Sequence, residues 1–141
     1  MTCTFFGHSE CYELDAKIVL VAIEELITKG TYTFYVGHQG HFDSIVLNCL
    51  TQLKKKYPHI SFSVVLAYLP TQKNTYEYSI YPEGIELGPP RFAIERRNKW
   101  MIEKSSHCIC YINNKWGGAY KFSKKAKLKG LEIINLGSAD L

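Results

Sequence analysis

Short apolar runs recur along this chain, and the segments between them space their apolar residues as helices do. Runs rich in β-branched and aromatic residues predict five strands, at residues 2–6, 32–36, 60–69, 107–112 and 131–136. The third run is almost continuously apolar, which is typical of a strand covered on both faces in a parallel sheet.

Apolar residues three and four positions apart predict helices between these strands. In the first helix this spacing predicts one apolar face, made of Leu14, Ile18, Val21, Ala22 and Leu26. We expect Ser9 to cap the start of this helix, because its hydroxyl can accept a bond from a free backbone amide. Gly30 is expected to end it.

The alternation of strands and helices predicts an α/β fold, a three-layer Rossmann-like sandwich with a mostly parallel five-stranded sheet. Right-handed crossovers favour the strand order 3-2-1-4-5. No repeat or linker divides the sequence, so residues 1–141 are predicted to form a single domain, with residues 138–141 as a frayed tail.

A long stretch without periodicity, residues 71–90, interrupts the alternation and is rich in proline, glycine and tyrosine. Loops of this length inside a compact domain are often lids or binding loops. The rings of Tyr76, Tyr78 and Tyr81 would either stack on a base or pack against the domain, and the sequence leaves both alternatives open.

Glycines follow the first, second and fourth predicted strands, at Gly7, at Gly37 and Gly40, and at Gly117 and Gly118. Each turn leads into a helix, whose free N-terminal amides and dipole favour an anion. In a parallel sheet of this order, ligands bind beyond the carboxyl ends of the strands at the topological switch point. We therefore predict that the three turns converge on one ligand site.

The charge and the cysteines narrow the classes of partner. A formal charge of +4 is compatible with a phosphate-bearing ligand but is too small for a dedicated nucleic-acid binder. The lysines of residues 54–56 and 121–129 fall on predicted helices, where a solvated face explains them.

Five cysteines without a Cys-x-x-Cys pair, and no apolar run that could be a signal or span a membrane, predict a cytoplasmic protein with reduced thiols. Cys11 is the thiol closest to the predicted site.

Arg97 lies one helical turn from Ile94 and Met101, so it points toward the apolar side of its helix. A buried arginine needs a partner, either a protein carboxylate or a ligand phosphate. The histidines His38 and His41 share one loop and His8 lies in a neighbouring one, but no cysteine or carboxylate completes a metal-binding pattern with them. We predict no metal.

Several motifs resemble one protein group: residues 5–9 (Phe-Phe-Gly-His-Ser), 34–43, 67–70 (Ala-Tyr-Leu-Pro), 96–101 and 116–119 (Trp-Gly-Gly-Ala). They resemble the SLOG superfamily, which unites the Rossmann-like domains of DNA-processing protein A and the lonely-guy (LOG) hydrolases, and its short YpsA-like branch most of all. The resemblance spans residues 2–137 and implies a Rossmann-like fold and a nucleotide site. It also implies a homo-oligomer. The superfamily includes phosphoribohydrolases, sensors of nucleotide-derived signals and DNA-binding proteins.

LOG-type hydrolases pair an Arg-Lys-x-x-Met helix with a Pro-Gly-Gly-x-Gly-Thr-x-x-Glu loop, and the arginine and final glutamate serve hydrolysis of an N-glycosidic bond. Arg97 takes the position of that arginine, and Gly117-Gly118 matches the double glycine. Lys124 stands where the catalytic glutamate should be, and a lysine cannot act as the required carboxylate. The resemblance therefore implies the binding site, while Lys124 argues against the hydrolase chemistry of the family.

We predict that the protein binds a nucleotide or an NAD- or ADP-ribose-derived ligand, as a sensor or sequestering module without a further cofactor. The candidate ligand-binding residues are Gly7, His8, Ser9, Gly37, Gln39, Gly40, Asp43, Arg97, Trp116, Gly117 and Gly118. Phosphates are expected on the glycine amides and Arg97, ribose on Asp43, and a base on Trp116. The alternative is an N-glycosidase with a relocated carboxylate, and nucleic-acid binding ranks third. Asp43, Glu10 and Glu95 are the candidate carboxylates.

Overall fold

A computed structural model describes residues 1–68 and 78–141 of the chain as a six-stranded sheet flanked by helices. The strands are β1 (Thr2–Gly7), β2 (Thr33–Val36), β3 (Ser61–Val65), β4 (Ser79–Ile80), β5 (His107–Tyr111) and β6 (Glu132–Asn135). The helices are α1 (Ala16–Thr28), α2 (His41–Lys56), α3 (Ala93–Glu103) and α4 (Gly117–Leu128), with a short 3-10 helix at Pro90–Phe92 before α3.

The sheet has the order β4-β3-β2-β1-β5-β6, and every pair in it is parallel. The predicted α/β sandwich and the predicted order of its five strands are therefore confirmed. The additional strand, β4, pairs with the outer edge of β3 through only two residues. Two residues are too few to produce a recognisable period, which is why the sequence did not reveal this strand.

Two apolar layers hold the helices against the sheet. On one side, Val19 and Ile23 of α1 and Leu50 of α2 pack in the same cluster as Phe5 and Phe34 of the sheet. On the other side, α3 and α4 contribute Met101, Ile102, Phe122 and Ala126 to a cluster with Cys108 and Cys110 of β5. Strand β5 lies between β1 and β6 in the sheet and between the two helical layers, so it is buried along its whole length.

Helix α1 begins later than predicted, and its buried face is different. Asp15, not Ser9, is the N-cap, since its side chain accepts a bond from the Lys17 amide at 2.9 Å. Ile18 and Val21, which we assigned to the apolar face, are 49% and 59% exposed. The residues that face the sheet are Val19, Ala22, Ile23, Leu26 and Ile27. Ala22 and Leu26 are therefore buried as predicted. Because this helix carries apolar residues on more than one face, periodicity alone also selected the exposed Ile18 and Val21 and missed Val19, Ile23 and Ile27.

The described part of the long loop packs against the domain. Arg96 of α3 donates to the carbonyls of Ile85, Gly88 and Pro89, at 2.7, 3.5 and 3.0 Å. Ile85 is itself buried. One guanidinium therefore holds the second half of the loop in place.

The two loop tyrosines that the structure describes also pack on the domain. The Tyr78 ring lies 5.1 Å from that of Phe62, between ring centroids, and Tyr81 packs against buried residues of two clusters. Tyr76 and the rest of residues 71–77 of the predicted lid lie outside the described residues.

The C-terminal residues are docked, so the predicted fraying is wrong. The Ala139 amide donates to Ile112 at 2.9 Å, and the Asn135 side chain donates to Ala139 at 2.8 Å. Ala139 and Leu141 pack against the cluster beneath α3 and α4. Polar residues at a chain end predict fraying only where no contact holds them, and here the side chain of Asn135 holds them in place.

All five cysteines are buried and free, as expected for small apolar residues. In the described ranges, no helix combines the length and the apolarity that crossing a bilayer requires.

Gly7→Ala is expected to lower the free energy of unfolding by about 1–3 kcal/mol, the usual cost of overpacking. A methyl group on Gly7 would lie 2.2 Å from Cγ of the buried Phe42, so the ring and helix α2 would have to move. Gly118→Ala is the matched control, because a methyl group there meets nothing within 4 Å and should change stability little. Urea unfolding of both variants checks this, and equal stabilities would contradict the packing argument.

Candidate functional site

The three glycine turns meet at the carboxyl edge of the sheet. The His41 amide at the start of α2 donates to the Ser9 carbonyl at 2.8 Å, which joins the first turn to the second. The Asn113 amide donates to Nε2 of His8 at 3.0 Å, which joins the first turn to the third. His8 therefore carries its proton on Nδ1 when neutral. This arrangement surrounds the centre of the edge, beyond β1.

A cavity of about 210 Å³ opens between these turns and helix α3, and we call it the inner cavity. Its walls combine the apolar side chains of the sheet and α3 with four polar side chains from three segments, the second turn, α2 and α3. It is lined by Phe5, Phe6, Gly7, Gly37, Gln39, Asp43, Ile94, Arg97, Asn98, Met101, Gly118 and Ala119.

Arg97 is the cation of the inner cavity and is only 3% exposed. Its guanidinium donates to Oδ1 of Asn98 at 2.8 Å, to the Val65 carbonyl at 3.1 Å and to Oε1 of Gln39 at 2.9 Å. All three acceptors are neutral, and within residues 1–68 and 78–141 no carboxylate lies close enough to form an ion pair with it. Burial lowers the pKa of Arg97 and the charge of Asp43 opposes that shift. The arginine is thus fixed in position while its charge is only partly compensated.

Asp43 is the anion of the inner cavity. It is the third residue of α2 rather than its cap, a position taken by Gly40, and its Oδ2 accepts a bond from the Gln39 amide at 2.9 Å. Burial raises the pKa of Asp43 to about 6, although the Gln39 amide and the charge of Arg97 both act to lower it. A carboxyl whose pKa lies near neutrality can exchange a proton at physiological pH.

Gly37 and Gly40 serve the protein's own contacts at the second turn. A methyl group on Gly37 would lie 2.8 Å from a guanidinium nitrogen of Arg97 and 3.0 Å from Oδ2 of Asp43, so only glycine leaves room for both charged groups. Gly40 has φ +91 and abuts the backbone of Ser9. The close neighbours of both glycines are therefore side chains and backbone of the chain itself.

A larger, more open cavity of about 580 Å³ adjoins the inner one, and we call it the outer cavity. The two share Gly7, Gly118 and Ala119. Its lining is polar and includes one aromatic residue, Trp116, which is 71% exposed. The remaining lining residues are His8, Ser9, Glu10, Glu13, Asn113, Asn114 and Gly117.

The first turn of α4 faces both cavities through Gly117, Gly118 and Ala119. The first amides of a helix have no partner within the helix, and a methyl group on Gly118 would meet nothing within 4 Å. These amides are therefore accessible donors. Lys124, further along α4, lines neither cavity.

One contact of an outer-cavity residue, Glu13, was not found from the sequence. The Tyr111 hydroxyl donates to Oε1 of Glu13 at 2.6 Å, and this bond is the main reason that the pKa of Glu13 lies below its usual value. The two residues are 98 positions apart. No local pattern connects them, so only the parallel pairing of β1 with β5 brings them together.

The cavities include all but one of the predicted site residues. Gly7, Gly37, Gln39, Asp43, Arg97 and Gly118 line the inner cavity, and His8, Ser9, Trp116 and Gly117 line the outer one. Gly40 lines neither and caps α2. Of the alternative carboxylates, Glu10 lines the outer cavity, whereas Glu95 is paired with Lys121 at 2.9 Å, away from both.

The loop histidines do not gather with other ligand types in the described residues, where no group of three or more histidine, cysteine or carboxylate side chains could hold a metal ion. His41 stacks near Tyr12, with ring centroids 4.8 Å apart, and its Nδ1 lies 3.7 Å from Sγ of Cys11. Burial and the charge of Arg97 lower the pKa of His38, which favours its neutral form.

The fold and the two cavities define a class: a parallel α/β protein of the Rossmann-like type with a polar site at the carboxyl edge of its sheet. Scans of protein-family models and of curated proteins found no match to this chain.

Proposed function

We propose that this protein binds a nucleotide or an NAD- or ADP-ribose-derived ligand across the inner and outer cavities. The observation that carries the proposal is the buried Arg97, which is held by three neutral acceptors and lines the inner cavity. Keeping a guanidinium out of water is costly unless an anion compensates it. A ligand phosphate would supply that anion.

The accessible amides of α4 support the same conclusion. Gly118 and Ala119 border the inner cavity together with Arg97, so a phosphate there would receive both a charged bond and helix N-terminal amides. The inner cavity is small for an entire ligand, since sites for drug-sized molecules are usually about 300–1,000 Å³. The remainder of the ligand would therefore occupy the outer cavity.

The outer cavity suits a base and a sugar better than further phosphates. The exposed indole of Trp116 offers a stacking surface, and the carboxylates of Glu10 and Glu13 accept bonds from amino or hydroxyl groups. Ser9 and His8 add polar contacts at the junction with the inner cavity. Asp43 would accept the hydroxyl of a ribose that reaches from the outer cavity into the inner one.

We further propose that the protein acts in the cytoplasm as a sensor or sequestering module of the SLOG type and as a homo-oligomer. Its five free cysteines suit a reducing compartment. The motifs at residues 5–9, 34–43, 96–101 and 116–119 support this assignment by resemblance.

A second candidate function, N-glycosidic hydrolysis, rests on Asp43. Its carboxyl group lines the inner cavity and its pKa is raised to about 6, which suits a general acid or base near neutral pH. Asp43 would then perform the task for which Lys124 is unsuited. Asp43→Asn would abolish such hydrolysis while leaving the phosphate-binding groups in place.

A thermal-shift screen with mass spectrometry of every sample separates the two functions. The panel contains nucleoside monophosphates, NAD, ADP-ribose, cyclic ADP-ribose isomers and cyclic dinucleotides. A raised melting temperature with an intact ligand supports the binding function, because a ligand of the folded state stabilises it. Release of free base supports the hydrolase. No shift and no product with any compound would contradict both.

Trp116→Ala is expected to weaken binding of the nucleotide found in the screen by about 1–3 kcal/mol, the usual contribution of one stacked base. The protein itself should keep its stability within about 0.5 kcal/mol, because the side chain is mostly exposed. Calorimetric titration measures the affinity. Tyr32→Ala is the control, since Tyr32 is an exposed aromatic residue beside the opposite, amino end of the strands. Equal losses in the two variants would remove Trp116 from the site.

A further inference from the structure

A third cavity lies away from the candidate site, in the groove between the C-terminal halves of α3 and α4. Its volume is about 590 Å³, and we call it the lysine groove. It is lined by Lys99, Ile102, Glu103, Lys125, Leu128 and Lys129. None of these residues lines the inner or the outer cavity.

Helix α4, which forms one wall of the groove, lies in a strongly basic part of the chain. Residues 104–131 contain seven of the 17 basic residues and none of the 13 acidic ones. Lysines in the last turn of a helix stabilise its dipole, which accounts for Lys125 and Lys127. The helix dipole does not account for Lys99, which lies in the middle of α3 and lines the same groove.

The groove also contains an unusual apolar residue. Leu128 is 83% exposed, the largest exposed fraction among the large apolar side chains that the structure describes. It lies between two lysines in sequence and beside the buried Ile102 in the groove. Three lysines and one glutamate, Glu103, surround this apolar floor, so the rim carries a net positive charge. Such a groove is complementary to a helix that carries apolar residues on one face and acidic residues beside them.

We propose that the lysine groove is a docking site for an acidic amphipathic helix of a partner protein. Leu128 and Ile102 would contact the apolar face of that helix, and Lys99, Lys125 and Lys129 would pair with its carboxylates. The phosphates of a nucleic acid could pair with the lysines but would leave Leu128 exposed. The surface of a membrane is too flat to fill a concave groove. The acidic helix is the occupant that uses both features of the groove.

The test uses a fluorescein-labelled helical peptide with leucines on one face and glutamates beside them, and follows its anisotropy with the full chain. The Lys125→Glu/Lys129→Glu variant is expected to bind it about tenfold or more weakly, because both rim charges become repulsive. Leu128→Ser should also weaken it several-fold, and its exposure means that the fold is unaffected. The matched control is Lys29→Glu/Lys55→Glu, which reverses two exposed lysines on the opposite helical layer and should bind as the unmodified chain does.

Other results would overturn the proposal. Equal affinity of all variants, or no binding by the unmodified chain, would mean that the groove does not recognise such a helix. Tighter binding of a duplex oligonucleotide or of phosphatidylserine vesicles, lost in Lys125→Glu/Lys129→Glu, would assign the lysines to phosphate groups instead. Self-association that Leu128→Ser abolishes would assign the groove to a second copy of this chain.

Discussion

Arg97→Ala is expected to lower the free energy of unfolding by about 3 kcal/mol and to weaken nucleotide binding by about 2 kcal/mol or more, roughly 30-fold. The loss of stability follows because the Val65 carbonyl, Gln39 and Asn98 all lose their donor. The buried carboxylate of Asp43 also loses its nearest compensating charge. Urea unfolding measures the first effect, and calorimetry at a temperature where the variant is folded measures the second.

Two further variants separate the structural role of Arg97 from its role in binding. Arg96→Ala also removes a guanidinium that donates to backbone carbonyls, those of Ile85, Gly88 and Pro89. Arg96 lines neither the inner nor the outer cavity. This variant should lose stability and keep its ligand affinity. Arg97→Lys keeps the charge and loses the forked geometry, so its affinity should be intermediate. If Arg97→Ala and Arg96→Ala bind the ligand equally well, then Arg97 is purely structural.

Asp43→Asn is expected to raise the free energy of unfolding by about 2–3 kcal/mol at pH 7.5. Burial raises the pKa of this carboxyl from 3.8 to about 6 in the folded protein, so the folded state binds the proton more tightly than the unfolded state does. Ionisation of Asp43 therefore costs stability progressively as the pH rises from about 4 to 6 and costs the full amount above 6. Asparagine removes that cost and still offers an oxygen to the Gln39 amide.

The pH profile is the decisive measurement for this variant. The advantage of Asp43→Asn should shrink as the pH falls and disappear at about pH 3, where the carboxyl is protonated in both states. Asp15→Asn is the control, because Asp15 caps α1 at the surface and asparagine is about as good a cap. It should change stability little at any pH. A destabilised Asp43→Asn at pH 7.5 would mean that attraction to Arg97 outweighs the cost of burial.

The two variants together also distinguish the proposed functions. A binding module should lose its ligand in Arg97→Ala, whereas Asp43→Asn should lose no more than one bond to a ribose hydroxyl. A hydrolase would lose turnover in Asp43→Asn while it still binds its substrate. The buried pair thus gives different results for recognition and for catalysis.

The fold could be predicted in advance because its signals are local. The alternation of apolar runs with helical spacing is a property of neighbouring residues, and the handedness of crossovers restricts the order of the strands. The three glycine turns follow directly from that order. Arg97 could be identified in the same way, since its position between Ile94 and Met101 directs it inward.

The incorrect predictions for α1 and for the C-terminal residues share a cause, because their sequence patterns are compatible with more than one geometry. Ser9 and Asp15 are both acceptable caps, and the apolar residues of α1 cover more than one face, so only packing against the sheet selects Asp15 and Val19. The end of the chain has the composition of a frayed tail, but the side chain of Asn135 holds it in place.

The sequence by itself determined the class of fold, the edge of the sheet at which the two cavities lie and most of the predicted residues that line them, because each depends on short-range periodicity and turn chemistry. Only the tertiary structure decided the electrostatics. The partly compensated charge of Arg97, the pKa of Asp43 and the bond between Tyr111 and Glu13 all depend on burial and on contacts between distant segments. Local sequence carries none of these three properties, since each arises only when separate segments of the chain come together.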